Sequence, residues 1–478
     1  MEYLLSLVVY VTKETANRVI RHNSERVFRK LTLSFQWMVI SIPVWIATEV
    51  MADVRMPPIF CDHMVVQHDA PMPIWGMAEV GEKVTVRFAG QSHTETTDPQ
   101  GKWLIRLDPI QVSAEGRILT ISSNRGANLK INDVLVGEVW FCAGQSNMEM
   151  GLGEVANGTV EIGRAEYPGI RLFQVQINHW QVCTPASIAQ GNGTGYGLDG
   201  AGGFSAVGYF FGREIHNTLR VPVGLINVTA GGTLLDQWMA PDGAQYQEKV
   251  APIVPLAVRG LLWYQGEADC ANHKSATYAE RFKAFIEGWR RVWEQEDFPV
   301  YYVQVAPFNY VKHNSVRTPF ELPLLWEAQA SALTLKNNGM AVISDLGEVE
   351  NIHPVQKEGV GHRLALLALA KTYGKQDLVC SGPVFRSMKV EGNSVRIFFD
   401  GTGSGLASRD GKPLTWFEIA DESGKFIVAD ALIEGQSILV SSKELSRPVA
   451  VRFSWNQVAQ PNLINVEGLP AAPFRTKY

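Results

Sequence analysis

The stretch GEVWFCAGQSNMEM, residues 137–150, runs from an apolar segment directly into Gly-Gln-Ser-Asn. An apolar run of this kind, bounded by turn residues, is typical of a strand buried on both faces of a sheet. A turn after the strand explains Gly144, but it does not explain why Ser146 follows at once. The ends of the other strands therefore decide whether this serine is incidental or reactive.

Similar apolar runs recur through the middle of the chain and alternate with segments of helical period. The runs are VPVGLINV, GLLWY, VYYVQV and MAVIS, and the helical segments are FSAVGYFFGREIHNTL, YAERFKAFIEGWRRVW and VGHRLALLALAKTYG. Strands buried on both faces and separated by amphipathic helices predict a parallel sheet covered by helices on each side. We therefore expect a three-layer α/β/α domain over residues 133–375.

The flanking regions show a different pattern, in which apolar and polar residues alternate between turns. In KVTVRF, for example, Val84, Val86 and Phe88 share one face, and SVRIFF repeats the pattern near the carboxyl terminus. A period of two with Pro and Gly punctuation predicts half-buried antiparallel strands. We expect β-sandwich-like domains at residues 53–132 and 376–478.

Residues 1–52 carry the pattern of an export signal. Arg29-Lys30 precede the apolar run LTLSFQWMVISIPVWIATEVMA, which ends in small residues at Ala52. This arrangement predicts a signal peptide cleaved near Ala52, a periplasmic, extracellular or lumenal protein, and no stable membrane insertion afterwards. An uncleaved anchor is the alternative, because the run is long enough to span a bilayer. Residues 1–28 fit neither interpretation and leave the true start of the chain open.

Composition excludes several classes of function. The 478 residues have a net charge of -5 and suit a soluble protein of two to four domains rather than a nucleic-acid binder with a basic stripe. The five cysteines are widely spread without CxxC spacing, so neither a zinc site nor a disulfide framework is indicated. We expect no metal and no cofactor, and the oligomeric state stays open.

The candidate catalytic residues all follow apolar runs of the central region. They are Ser146 after the first run, Gly231-Gly232 in NVTAGGT, Gln265 in QGEAD, and Glu350 with His353 in GEVENIHP. Ligands of open parallel sheets bind beyond the carboxyl ends of the strands. The pattern therefore predicts one site at one edge of the sheet.

These side chains match the requirements of a serine nucleophile. A serine hydroxyl needs a histidine as base and a carboxylate to orient that histidine, roles that fit Ser146, His353 and Glu350, with Glu348 in reserve. The tetrahedral oxyanion needs donors already in place. The candidates are the Ser146 N–H, an N–H of Gly231-Gly232, with Gly231 preferred, and the Gln265 amide.

The chain resembles the sialate O-acetylesterases and related carbohydrate acetylesterases of the GDSL/SGNH hydrolase superfamily. The resemblance rests on the ordered blocks GEVWFCAGQSNMEM, NVTAGGT, LLWYQGEAD and DLGEVENIHP, and it extends from Pro57 to the carboxyl terminus. It implies an SGNH-hydrolase-like catalytic domain in which Ser146 and His353 are nucleophile and base. Two departures stand out, namely Glu350 where the family usually has Asp, and a short segment at residues 239–260.

Other interpretations of individual residues are weaker. Glu267 and Asp269 suggest a paired-carboxylate glycosidase, but their spacing does not place them on two sides of one bond. Asn147, Trp238 and Glu267 are candidate substrate contacts. For Trp238, as for Trp263 and Trp326, core packing is the default over stacking on a sugar, and Asn147 and Glu149 also fit supports of the serine turn.

The sequence therefore predicts a secreted serine esterase that removes O-acetyl groups from a sugar through an acyl-enzyme. By resemblance, the substrate is O-acetylated sialic acid. The alternatives are an acetylesterase of another polysaccharide, such as acetylxylan, and a non-catalytic carbohydrate-binding protein. The intact set of Ser146, Gln265 and His353 argues against the last.

Overall fold

The structure is a computed structural model that describes residues 54–190 and 203–476. The predicted signal segment, residues 1–52, lies outside the described residues. Within the two described ranges, none of the helices combines the length and the apolar character that a membrane span requires.

The amino-terminal region is built from short strands and leads into one long strand. The strands are β1 (Val65–Gln67), β2 (Met72–Met77), β3 (Lys83–Phe88), β4 (Gln91–Thr96), β5 (Lys102–Leu107), β6 (Ser113–Ser123) and β7 (Asn128–Gly144). β2 pairs with β5, and β3 pairs with both β4 and β6, all antiparallel. Val84, Val86 and Phe88 are buried while their neighbours are not, as the alternation predicts.

Strand β7 joins this region to the centre of the molecule. Its first half pairs antiparallel with β6, and its 17 residues then continue into the central sheet. The proposed boundary between residues 132 and 133 therefore falls inside one continuous strand. The division into domains at 53–132, 133–375 and 376–478 stays a prediction.

The central sheet has the order β13-β12-β11-β7-β10-β8-β9. Its other strands are β8 (Tyr167–Gln174), β9 (Trp180–Cys183), β10 (Val223–Thr229), β11 (Gly260–Tyr264), β12 (Val300–Val303) and β13 (Asn338–Ala341). Neighbouring strands are parallel except for β9, which is antiparallel to β8. The carboxyl ends of β7, β10 and β11 therefore share one edge.

Helices cover both faces of this sheet. They are α1 (Ser146–Glu149), α2 (Gly158–Arg164), α3 (Pro185–Ala189), α4 (Ala206–Leu219), α5 (Glu267–Ala271), α6 (Ser275–Val292), α7 (Glu321–Ser331) and α8 (Lys357–Lys371), with single turns at Leu152–Glu154, Leu235–Trp238, Tyr246–Val250 and Ala332–Thr334. Trp140 and Cys142 of β7 face the core formed with α4 and α8. Phe141 and Ala143 face the core that includes α6 and α7. The predicted three-layer α/β arrangement is confirmed.

The carboxyl-terminal region is rich in strands, as predicted. Its strands are β14 (Val384–Glu391), β15 (Ser394–Asp400), β16 (Leu406–Ser408), β17 (Phe417–Ala420), β18 (Ile427–Val428), β19 (Asp430–Glu434), β20 (Ser437–Ser441), β21 (Ala450–Phe453), β22 (Leu463–Asn465) and β23 (Phe474–Arg475). They form sheets in the orders β14-β15-β20-β19, β18-β17-β21-β23 and β16-β22. Their inward side chains, among them Val395, Ile397 and Phe453, form a separate core.

Candidate active site

Ser146 begins a helix at the carboxyl end of strand β7. Gly144, the last residue of the strand, has a φ of +144°, and a Cβ there would lie 2.1 Å from the Tyr264 carbonyl oxygen. Only glycine fits this turn, because L residues avoid such φ values and the space is filled. The Gln145 N–H then donates to the same Tyr264 oxygen at 3.0 Å. These constraints place Ser146 at the sheet edge with 9% of its surface exposed.

His353 lies against Ser146, although the two residues are 207 positions apart in sequence. The distance between His353 Nε2 and Ser146 Oγ is 2.8 Å. The histidine belongs to the loop between β13 and α8, where its own N–H donates to Asn351 Oδ1 at 3.0 Å. Burial, and then the positive charge of Lys357, lowers the pKa of His353. At neutral pH the imidazole is therefore uncharged and able to accept a proton.

Two backbone N–H groups at the same edge are free to act as donors. Within the described residues, the N–H groups of Ser146 and Gly231 make no hydrogen bond. The turn at residues 230–233, called the glycine turn here, is closed by the Thr233 hydroxyl, which donates to the Ala230 carbonyl at 2.7 Å. Its second glycine, Gly232, has a φ of +69°, a conformation that glycine adopts without strain.

The Gln265 side chain, predicted as an oxyanion donor, makes other hydrogen bonds in this structure. Its Nε2 donates to the Thr233 carbonyl at 3.0 Å and to Asp269 Oδ2 at 2.7 Å. Its Oε1 accepts from the Tyr278 hydroxyl at 3.0 Å. Because an amide has two N–H donors, both are used, and Gln265 instead ties the glycine turn to helix α5.

Glu350, the predicted orienter, does not contact the histidine. Its carboxylate pairs with Lys312 Nζ at 2.5 Å, and its side chain is 56% exposed. Glu348, the reserve candidate, accepts from the Val355 N–H at 3.1 Å and from Asn351 at 3.4 Å. Glu348 therefore braces the histidine loop, and neither acid hydrogen-bonds to the imidazole ring.

The tryptophan named as a candidate sugar contact lies in the core. Trp238 is fully buried, packs edge-on against Trp263 and donates from Nε1 to Thr233 Oγ1 at 2.9 Å. Trp263 and Trp326 are equally buried. A ring enclosed in this way offers no face to a sugar, so the default of core packing holds for all three.

Acidic side chains beside Gln265 are also held internally. Asp269 is buried and pairs with Arg281 at 2.8 Å, whereas Glu267 accepts from Asn147 Nδ2 at 2.6 Å. Neither carboxylate is available to flank a glycosidic bond. In the described parts of the chain, no group of three or more His, Cys, Asp or Glu side chains is arranged to hold a metal ion.

Asn147 and Glu267, two candidate substrate contacts, lie below the surface. Beside them lies Lys357, which the sequence analysis did not identify. Asn147 is 1% and Glu267 3% exposed. Lys357 Nζ, fully buried, donates to Asn147 Oδ1 at 2.5 Å. A lysine three positions before the apolar helix segment VGHRLALLALA was the available signal, but lysine at a helix start is usually solvated.

Comparison with known proteins gives consistent matches. The family described as "Carbohydrate esterase, sialic acid-specific acetylesterase" matches residues 136–354, a span that includes Ser146 and His353. Sialate O-acetylesterase of Rattus norvegicus is 26% identical over 87% of this chain and 93% of its own, and that of Homo sapiens is 27% identical over 73% and 76%. The crystal structure of a carbohydrate acetylesterase from Xanthomonas citri is 34% identical, has a TM-score of 0.80, and covers 89% of this chain and 99% of its own. The chain therefore belongs to the sialate O-acetylesterase and carbohydrate acetylesterase family, and it is a carboxylic ester hydrolase.

Proposed function

We propose that the protein is a serine esterase that removes O-acetyl groups from a sugar through an acyl-enzyme intermediate. The observation that carries this proposal is the 2.8 Å contact between Ser146 Oγ and His353 Nε2. A hydroxyl and a neutral imidazole at this distance have the geometry of a nucleophile and its general base.

In the first step, Ser146 Oγ attacks the acetyl carbonyl carbon while its proton passes to His353 Nε2. The carbonyl oxygen becomes an oxyanion, to which the N–H groups of Ser146 and Gly231 donate. Collapse of the tetrahedral intermediate breaks the bond to the sugar oxygen, which takes the proton from His353. The sugar leaves with a free hydroxyl, and Ser146 carries the acetyl group.

In the second step, His353 takes a proton from water, which attacks the acetyl-serine carbonyl. The same N–H donors receive the second oxyanion, and its collapse returns the proton to Ser146 and releases acetate. Gln265 supports both steps by holding the Gly231 turn. For Gln265 to donate directly, it would first have to give up its bond to Thr233 or Asp269.

We propose O-acetylated sialic acid as the substrate, on the strength of the matching family and of the names of the curated relatives. The rival within the same chemistry is an acetylated polysaccharide such as acetylxylan, because the Xanthomonas citri relative is described only as a carbohydrate acetylesterase. Acetate release from 9-O-acetylated sialic acid and from acetylated xylo-oligosaccharides separates the two. Preference for the xylo-oligosaccharides would reject the sialate assignment while keeping the esterase.

Substitution of the nucleophile tests the chemistry itself. With 4-nitrophenyl acetate, Ser146→Ala and His353→Ala should each lower kcat by about 1,000-fold or more, because nucleophile and base act as a unit. Ser437→Ala is a matched control, since Ser437 has 7% of its surface exposed and lies in the carboxyl-terminal strand β20. Equal rates of acetate release in Ser146→Ala and the parent would defeat the serine mechanism, whereas no acetate release by the parent would favour a carbohydrate-binding role.

We also propose export, on the basis of the basic and apolar pattern that ends at Ala52. Expression of the full chain, followed by cell fractionation and amino-terminal sequencing, tests the proposal. A mature protein that begins near residue 53 in the exported fraction supports cleavage. An uncleaved chain in the membrane fraction would favour the anchor.

A further inference from the structure

The catalytic histidine lacks the carboxylate partner that commonly orients such a ring. Across the described residues, no Asp or Glu side chain hydrogen-bonds to the imidazole of His353. Its loop is nevertheless tied to the nucleophile, because Asn147 Nδ2 donates to the Ile352 carbonyl at 2.9 Å. Asn147 follows Ser146 directly, and Ile352 precedes His353 directly. This single bond therefore links the backbones on which both reacting side chains are carried.

Asn147 is itself held by two buried charged side chains. Its Oδ1 accepts from Lys357 Nζ at 2.5 Å, and its Nδ2 donates to Glu267 Oε1 at 2.6 Å. With oxygen and nitrogen both engaged, the amide cannot rotate without loss of these bonds. The three side chains form a chain of two hydrogen bonds centred on Asn147, named here the Lys357 triad (Lys357, Asn147 and Glu267).

The hydrogen bonding of the buried charged groups in the Lys357 triad is incomplete. Among the residues that the structure describes, Glu267 Oε2 has no hydrogen-bond partner, and the buried hydroxyls of Tyr264 and Tyr310 also lack one. The Lys357 ammonium faces the Tyr264 ring, 5.3 Å from its centroid. Burial raises the pKa of Glu267 and lowers the pKa of Lys357 to about 7, although Glu267 and Glu348 oppose the second shift. Incompletely paired buried charges contribute little stability, and they concentrate at functional sites.

We propose that Lys357 is a positioning residue which, through Asn147, fixes the loop of His353 so that the imidazole meets Ser146. The inference rests on the serine esterase mechanism proposed above. A second effect follows from the charge of Lys357, which disfavours a positive imidazole. The other ionisable groups around Lys357 and His353 are Glu267 from α5, Glu348 from the histidine loop, and Tyr264 from β11. Of these groups, Lys357 supplies the only positive charge.

Lys357→Met tests the proposal, because methionine keeps the length of the side chain and removes its charge and donor. We expect kcat on 4-nitrophenyl acetate to fall about 10- to 100-fold with KM within threefold, as a small misplacement of a catalytic group costs that much. The acidic limb of the kcat/KM profile should move to higher pH, since His353 loses a positive neighbour. Lys371→Met is the matched control from the same helix, where Lys371 donates to the Asn338 carbonyl at 2.9 Å.

Asn147→Ala is the second variant, and it carries the test if Lys357→Met does not fold. It removes the link to Ile352 and leaves Lys357 in place. We expect a fall in kcat of similar size, without the shift in the acidic limb. Folding is checked by circular dichroism, and active sites are counted by complete labelling of the reactive serine with a fluorophosphonate.

Three outcomes would overturn the inference. In the first, Lys357→Met keeps the parental kcat and pH profile. In the second, kcat per labelled site is parental and only the number of active sites falls, which marks a structural role. In the third, Lys371→Met loses as much activity as Lys357→Met. Activity retained by Ser146→Ala would reject the serine mechanism itself, whereas an inactive Ser146→Ala beside an unaffected Lys357→Met would reject only the positioning role.

Discussion

Residues 138–144 of strand β7 run through the central sheet, and a buried glutamate lies near each end of this segment. The two carboxylates differ in how completely they are hydrogen-bonded. At the amino end, the Glu138 carboxylate accepts from His68 Nε2 at 2.5 Å, from Arg259 Nε at 2.7 Å and from Gln67 Nε2 at 3.2 Å. Both of its oxygens are satisfied. Just beyond the carboxyl end, Glu267 of helix α5 uses one oxygen for Asn147, and its other oxygen has no partner within the described parts of the chain.

The two carboxyl groups consequently respond to burial in opposite ways. Burial opposes ionisation of Glu138, but the hydrogen bonds and charges of His68 and Arg259 outweigh it and lower the pKa to about 2. Around Glu267 burial dominates, and the pKa is raised. A buried charge with a full set of donors supports the fold, whereas one with an incomplete set costs stability and indicates a functional site. The environment of Glu138 is therefore that of a stabilising group, whereas the environment of Glu267 is the kind found at functional sites.

Glu138→Gln gives the largest effect on stability that this comparison predicts. Removing one partner from a buried charged group should lower the free energy of unfolding by about 3 kcal/mol, on the order of a hundredfold in the unfolding equilibrium. Thermal unfolding at pH 7 measures the loss, and kcat per active site should stay at the parental value. A variant of parental stability, or one that folds but has lost kcat, would contradict the division between the two ends.

The pH dependence of this effect has a defined sign. The folded pKa of Glu138 is lowered, so its stabilisation is present above pH 4.5 and is lost as the pH falls through about 2. The hydrogen bond to Glu138 raises the pKa of His68, whose contribution is present below pH 6.5 and lost as the pH rises through its folded value. The difference between parent and variant should therefore be largest between these limits. Glu418→Gln, which breaks a more exposed pair with Arg452, is the control and should cost less.

Gln265→Leu tests how the carboxyl end holds its glycine turn, and its effect should be smaller. If Gln265 acts through Thr233 and Asp269, its loss should lower kcat about 10-fold, whereas loss of a direct oxyanion donor costs on the order of 100-fold or more. Asp269→Asn weakens the same anchor from the other side. We expect the two substitutions to have similar effects and to be strongly non-additive in a double-mutant cycle.

A loss from Gln265→Leu that greatly exceeds the loss from Asp269→Asn would return Gln265 to the oxyanion hole. It would also mean that the amide exchanges partners during turnover. Steady-state kinetics on 4-nitrophenyl acetate, with Ser437→Ala as a common control, distinguish the two results. The residues at the carboxyl end of β7 would then have to rearrange during turnover.

The arrangement of strand ends was predictable from the sequence for a simple reason. Parallel strands end at one edge, so the residues that follow buried runs must meet there. The contact of Ser146 with His353 follows from this rule, although 207 positions separate them. Alternating patterns predicted the flanking strands equally well. The continuation of β7 from its pairing with β6 into the central strands was not predicted, because one apolar run can continue where its partners change.

Side-chain pairings at the site were harder to predict, because they depend on partners that the fold brings together. Gln265 follows a strand as expected, yet its two donors are taken by Thr233 and Asp269. Lys357 looks like an ordinary residue at a helix start, and only the packing of Asn147 against it reveals a buried donor. A position in the sequence indicates which edge a side chain reaches, but not the direction in which its polar atoms point.

Glu350 is another residue whose partner could not be predicted from the sequence, and its substitution should have the smallest effect on kcat. Its carboxylate is exposed and paired with Lys312, and the hydrogen bond from Lys312 lowers its pKa. Exposed pairs of this kind contribute little to a fold. We therefore expect Glu350→Ala to change kcat by no more than about twofold, the size of effect that Lys312→Ala should also have.

Glu348→Ala is the informative companion of this variant, because Glu348 braces the backbone of Val355 beside the histidine. Its kcat should fall further than that of Glu350→Ala, since loosening the loop displaces the imidazole from Ser146. If instead Glu350→Ala lost 10-fold or more while Lys312→Ala did not, the carboxylate must leave its lysine and reach the ring during turnover. The carboxyl end of β7 would then contain an acid, base and nucleophile set after all, and Lys357 would share the positioning of His353 with Glu350.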